Sequence, residues 1–241
     1  MTELYDLYEK LGEIESLMYS LQPNDDIDWD KVRISAAISA MNGLLASERC
    51  EYWDDNLYIK QSVSYADTQI YELSHIGYKQ QRDLAVDVFS KCDIPMYLIS
   101  GNHDSWYSHM GADIVEEICS ERPNMTYLGY NQADIDIDGA TLRLFHGTDG
   151  GSRTLSYRLQ LLSESYTIGK KPNILLAGHT HKMCYIFDRM IHCVSVPSLQ
   201  MQTSWMASKK LAAHTGFLVI EFDTNHNGVC NFQFRYYPFY A

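Results

Sequence analysis

Three short apolar runs in this chain each stop at a cluster of glycine with histidine, asparagine or aspartate. Met96-Tyr97-Leu98-Ile99 leads through Ser100 into Gly101-Asn102-His103-Asp104. Leu142-Arg143-Leu144-Phe145 leads into His146-Gly147, and Ile174-Leu175-Leu176-Ala177 into Gly178-His179-Thr180-His181. An apolar run ended in this way reads as a buried strand running into a functional loop. Three such ends at one sheet edge would gather four imidazoles, an amide oxygen and a carboxylate. That donor mix suits a dinuclear cation centre that hydrolyses phosphate esters.

Each residue also has an ordinary structural reading. The Asn102 amide oxygen can ligate a cation without adding charge, or it can simply cap a turn. His103 and Asp104 are read as a proton-transfer pair. An imidazole that donates to a carboxylate is held in one tautomer, has its pKa raised, and can protonate a leaving alkoxide. A lone histidine such as His146 is more often a satisfied core residue. Its position between the other two clusters favours ligation. His179 and His181 are two residues apart and would face one side of an extended segment. After Gly178 they can instead diverge toward two cations about 3.5–4 Å apart. His192 lies on an expected core strand, and Trp106, Tyr107 and Trp205 near the clusters are packing residues or stacking platforms.

The ordered set Gly101-Asn102-His103-Asp104, His146-Gly147 and Gly178-His179-Thr180-His181 resembles the calcineurin-like metallophosphoesterase superfamily, across roughly residues 65–235. The run Tyr71-Glu72-Leu73-Ser74-His75-Ile76-Gly77-Tyr78 resembles its phage and bacterial members. The resemblance implies an α/β fold: a layered sheet sandwich flanked by helices. It assigns Asn102, His146 and His179 to the second of two divalent cations and His181 to the first. His103 becomes the acid and Asp104 its orienting partner. Mn²⁺ is the expected metal, with Fe, Zn and Mg as alternatives. The implied activity is that of a phosphodiesterase or nuclease-like hydrolase acting on a small phosphodiester or a nucleic-acid end.

The sequence departs from the family pattern at its start. No Asp-x-His and no Gly-Asp precedes residue 101. Asp55, with Asp54 beside it, stands about where the bridging aspartate is expected, though no apolar strand precedes it. The second cation's ligands are thus nearly complete, and the first retains mainly His181. A degenerate or partial relative that binds one metal or a phosphate ester with little catalysis is the alternative.

The chain has 241 residues and a net charge of −12, which argues against broad contact with nucleic-acid backbone. Its six cysteines are scattered and read as free thiols of a reducing compartment. No signal-like start or membrane-length apolar stretch occurs, so the expected location is the cytoplasm. Residues 1–50 read as a helical N-terminal segment and 51–241 as the metallophosphoesterase domain. Leu4, Leu7, Leu11, Ile14, Met18 and Leu21 form a heptad-like seam. That seam packs on the chain's own second helix, or on a partner helix or second copy. From Tyr71 onward, helices and strands alternate and give way to a strand-rich end.

Overall fold

The computed structural model describes residues 78–91, 94–148, 154–225 and 228–239, with backbone alone for Trp106, His109, Met110 and Trp205. The expected helices of residues 1–50, the seam of residues 4–21 and Asp54 and Asp55 lie outside them.

Helix α1 (Tyr78–Phe89) precedes strand β1 (Met96–Ser100), and helix α2 (Ile114–Ser120) precedes β2 (Met125–Tyr130). Strands β3 (Gln132–Ile137) and β4 (Ala140–Phe145) form a hairpin, followed by α3 (Tyr157–Ser165) and β5 (Ile174–Ala177). A second hairpin, β6 (Cys184–Asp188) and β7 (Ile191–Ser195), leads to the short α4 (Ser204–Ser208). The long hairpin β8 (Gly216–Asn225) and β9 (Gly228–Pro238) closes the fold.

Local chemistry accounts for several of these boundaries. The Asp113 side chain caps α2 by accepting from Val115 N and Glu116 N, and Glu116 and Glu117 face the positive end of the helix dipole. The β3–β4 turn uses Asp138 and Gly139, both at positive φ (50° and 82°), as a two-residue primed turn requires. The segment after β1, expected to be a loop, instead winds into a 3-10 helix over Asp104–Met110. Its first turn is held by the Gly101 N–H donating to Asp104 Oδ2 at 2.5 Å and Ser105 Oγ donating to Asn102 O at 2.7 Å.

Among the described residues, the strands form a five-stranded sheet in the order β3-β4-β5-β7-β6 and two pairs, parallel β1-β2 and antiparallel β8-β9. Alternating side chains of the two pairs enter the same two cores. Met96 and Leu98 of β1 and Phe217 and Val219 of β8 pack with Ala85, Phe89, Ile114 and Ile118 of the helices. On the opposite face, Ile99, Leu218 and Ile220 pack with Leu142, Leu144, Ile174, Leu176 and Val194 of the five-stranded sheet. The two pairs therefore share one layer. The far face of the five-stranded sheet buries Leu175, Ala177, Ile191 and Cys193 against Leu159 of α3. The resulting order is helix, sheet, sheet, helix, the layered α/β sandwich expected from the sequence.

β4, β5 and β7 are mutually parallel, with Phe145 level with Ala177 and Ala177 with Ser195. His146 and Gly178-His179 therefore leave the sheet side by side at one edge.

Candidate metal centre

The end of β1 belongs to the other layer, and one asparagine joins it to this edge. Asn131 N donates to Ser100 O at 2.8 Å, and Asn131 O accepts from His146 N at 2.8 Å. Its side-chain Oδ1 accepts from Gly147 N at 2.7 Å. Asn131 sits at φ 66°, a left-handed conformation that asparagine tolerates better than most residues.

With both layers registered, three donor atoms converge. Asn102 Oδ1 lies 2.8 Å from His146 Nε2 and 3.2 Å from His179 Nδ1, and the two ring nitrogens are 3.3 Å apart. The rings meet edge to face, with centroids 5.1 Å apart. Two ligands held at about 2.1 Å by one tetrahedral cation lie about 3.4 Å apart. The triangle fits a single divalent cation. Among the described residues, no three His, Cys, Asp or Glu side chains form such a group. The third donor here is an amide.

Electrostatics agree with that fit. Burial, then the neighbouring imidazole of His179 and the charges of His103 and Arg158, push the His146 pKa down to about 3. Burial, with His103 and His179, lowers that of His181 to about 4. Both rings are neutral at pH 7, the state in which an imidazole offers a lone pair. His146 Nδ1 and His181 Nδ1 are buried without a hydrogen-bond partner among the described residues. The close approach also dictates a glycine, because a Cβ on Gly101 would lie 2.6 Å from His146 Cε1.

The Gly178-His179-Thr180-His181 turn is not extended. His179 and His181 both adopt positive φ, 73° and 53°, and Thr180 N donates back to Gly178 O at 2.9 Å. Left-handed backbone at two non-glycine residues is strain held by its surroundings. Part of that hold comes from His214, whose N–H donates to His181 O at 2.8 Å and whose Nδ1 accepts from Met183 N at 2.9 Å. Thr180 Oγ1 also meets Ser195 Oγ at 3.1 Å.

Six expected site residues fall among the described ones. Asn102, His146 and His179 form the triangle. His103 and His181 lie close enough for His103 to depress the pKa of both His146 and His181. Asp104 accepts the Gly101 N–H, while desolvation raises its pKa to about 7 against that bond, and the charge of Asp113 adds to the rise. Asp55 lies outside the described residues. Tyr107 is a core residue, 2% exposed, with its hydroxyl donating to Gln81. His192 stacks on Phe232 at 4.1 Å and pairs with Ile174 at the start of β5, at the opposite end of the strands. Sequence reasoning passed over Asn131, Arg158 and His214. All three act through backbone groups, and the sequence offered at most a turn, at Asn131 after Gly129 and at His214.

The layered fold is that of a metallophosphoesterase. The calcineurin-like phosphoesterase superfamily domain matches residues 55–204, more than half of the chain, and the chain belongs to that family. Solved structures similar to it include an archaeal phosphodiesterase (10% identity, 74% of this chain and 91% of that one, TM-score 0.39). Another is wild-type Vps29 complexed with Zn²⁺ from Entamoeba histolytica (11% identity, 79% and 95%, TM-score 0.35). A third is a conserved uncharacterized protein from Streptococcus pneumoniae TIGR4, a predicted phosphoesterase (9% identity, 65% and 91%, TM-score 0.37). No curated protein matches the chain. Among the described residues, no helix is long and apolar enough to cross a membrane.

Proposed function

We propose that this chain is a metal-dependent phosphodiesterase or nuclease-like hydrolase acting on a small phosphodiester or a nucleic-acid end. The observation that supports this reading is the triangle of Asn102 Oδ1, His146 Nε2 and His179 Nδ1. These groups would hold one divalent cation, Mn²⁺ or else Fe, Zn or Mg. His181, with Asp55, is the candidate ligand set of a second, completing a dinuclear centre. A bound divalent cation supplies Lewis acidity toward a phosphoryl oxygen.

The chain's own groups do the rest. His103 is the proton donor to the leaving oxygen. Asp104 fixes the turn that carries Asn102 and His103 by accepting the Gly101 amide. Neutral His146 and His181 keep their lone pairs without competition from protons. The acidic net charge, −12, disfavours a long duplex, which leaves a short substrate or strand end.

The test is calorimetric Mn²⁺ binding beside turnover of bis(p-nitrophenyl) phosphate. One tight cation is expected, lost in His146→Ala and His179→Ala. Turnover should be weak, dependent on metal concentration, and lost in His103→Ala with the cation retained. A wild-type chain that binds no Mn²⁺ contradicts the proposal. The described triangle serves one cation only, and this favours a second reading as a metal-binding relative without catalysis. One cation bound with no turnover would establish that reading.

A further inference from the structure

We propose that Arg158 is the positioning residue of this centre. Its guanidinium ties the backbone of His146 to that of Gly178 and so sets the separation of the His146 and His179 rings. The inference rests on reading the triangle as a cation site.

The β4–β5 ladder ends at Phe145 and Ala177, with a final bond from Gly178 N to Phe145 O at 2.8 Å. Beyond that point, nothing in the ladder fixes how far the two strands splay. Arg158, the second residue of α3, reaches into this gap. Nη1 donates to Gly178 O at 2.7 Å and Nη2 donates to His146 O at 2.6 Å. One carbonyl belongs to a triangle residue and the other to the residue just before one. The guanidinium also lies over the Phe145 ring, 5.4 Å from its centroid, so the residue preceding His146 is gripped as well.

A planar fork can serve two carbonyls at once, whereas an ammonium group is a single point of charge. Arg158 is 6% exposed, and burying its charge is costly. An aliphatic side chain could line the same helix face beside Leu159 without that cost. The fork is what an aliphatic residue cannot supply.

The sign of the effect separates positioning from simple electrostatics. A guanidinium close to the site repels a divalent cation, so losing its charge should tighten binding if charge were its only influence. Positioning predicts the reverse. Losing groups that orient metal ligands typically weakens affinity about 10–100-fold.

The experiment uses the full chain with Arg158→Met and Arg158→Lys, folding checked by far-ultraviolet circular dichroism. Mn²⁺ affinity comes from calorimetry and ligand geometry from the visible spectrum of the Co²⁺-loaded protein. Imidazole ¹⁵N shifts are read without metal. Both variants should lose Mn²⁺ affinity about tenfold or more. The Co²⁺ spectrum should change, as should the metal-free shifts of His146 and His179. Wild-type or tighter Mn²⁺ binding in folded Arg158→Met overturns the proposal. If Arg158→Met does not fold, Arg158→Lys decides, and wild-type affinity and spectra in that variant overturn it equally. If the wild-type chain binds no Mn²⁺, the functional reading fails. The metal-free shifts then decide Arg158 alone, and unchanged shifts in a folded variant overturn its role.

Discussion

Gly101 shows how a single absent side chain supports the centre. The His146 ring occupies the space where a Cβ would stand, with three of its ring atoms within 2.8 Å of that position. Gly101→Ala should displace that ring, lower stability by about 1–3 kcal/mol and weaken Mn²⁺ binding. Thermal melts and calorimetry read the two effects. The buried imidazoles make a second prediction, for the metal-free chain. His146 and His181 hold folded pKa values of about 3 and about 4, below the ordinary 6.5. The unfolded chain therefore binds more protons between those values, and stability falls as pH drops through about 6.5. At pH 5 each ring should cost at most about 2 kcal/mol relative to pH 7. Urea melts at the two pH values check this, and His146→Gln should flatten the dependence. At this scale the sequence was legible where side chains meet one another, since Asn102, His146 and His179 come together from the three clusters. It was opaque at Arg158 and His214, because a side chain that grips backbone carbonyls and amides leaves no pattern of its own.

Among the elements, the strands were readable because each carries an apolar run, and Met96–Ser100, Ala140–Phe145 and Ile174–Ala177 lie close to where those runs placed them. The 3-10 helix over Asp104–Met110 was not readable, since hydrogen bonds from Gly101 and Ser105, and no hydrophobic period, wind it. The His179–His181 turn was expected to diverge after Gly178. The backbone there is left-handed at both histidines. Asn131 is the element junction that sequence alone does not reveal, because its partners lie 15 to 31 positions away, at His146, Gly147 and Ser100. Asn131→Ala loses the Oδ1 bond to Gly147 and strains the backbone at φ 66°. Asn131→Gly loses only the bond. The alanine variant should therefore be the less stable, by about 1 kcal/mol, while both bind Mn²⁺ more weakly. Denaturant titrations of the pair provide the comparison, and equal stabilities would show that the backbone there is unstrained.

Across the whole molecule, the layer formed by β1–β2 and β8–β9 raises a question of completeness. Phe217 through Ile220 are each at most 3% exposed, and Met96 and Leu98 at most 2%. Among the described residues, β1 forms a ladder only with β2, and β8 only with β9. Buried backbone requires hydrogen-bond partners, and the family match begins at residue 55, ahead of the first described helix. Deleting residues 1–50 should leave the remaining chain soluble and cooperatively folded. Deleting residues 1–77 should yield an aggregating product. Analytical ultracentrifugation of the two truncations separates them, and a monomeric, cooperatively melting 78–241 fragment would contradict the expectation. The layered sandwich itself was legible from the alternation of helices and strands. That two of its described strand pairs share one layer was not, because only tertiary packing shows which pairs share a core.

Anomalous diffraction from a Mn²⁺-soaked crystal would locate directly the one divalent cation proposed to sit between Asn102, His146 and His179. A manganese peak is expected about 2.0–2.4 Å from Asn102 Oδ1, His146 Nε2 and His179 Nδ1. A Mn²⁺ peak bound elsewhere, or clear density for the three side chains with no peak between them, would contradict it.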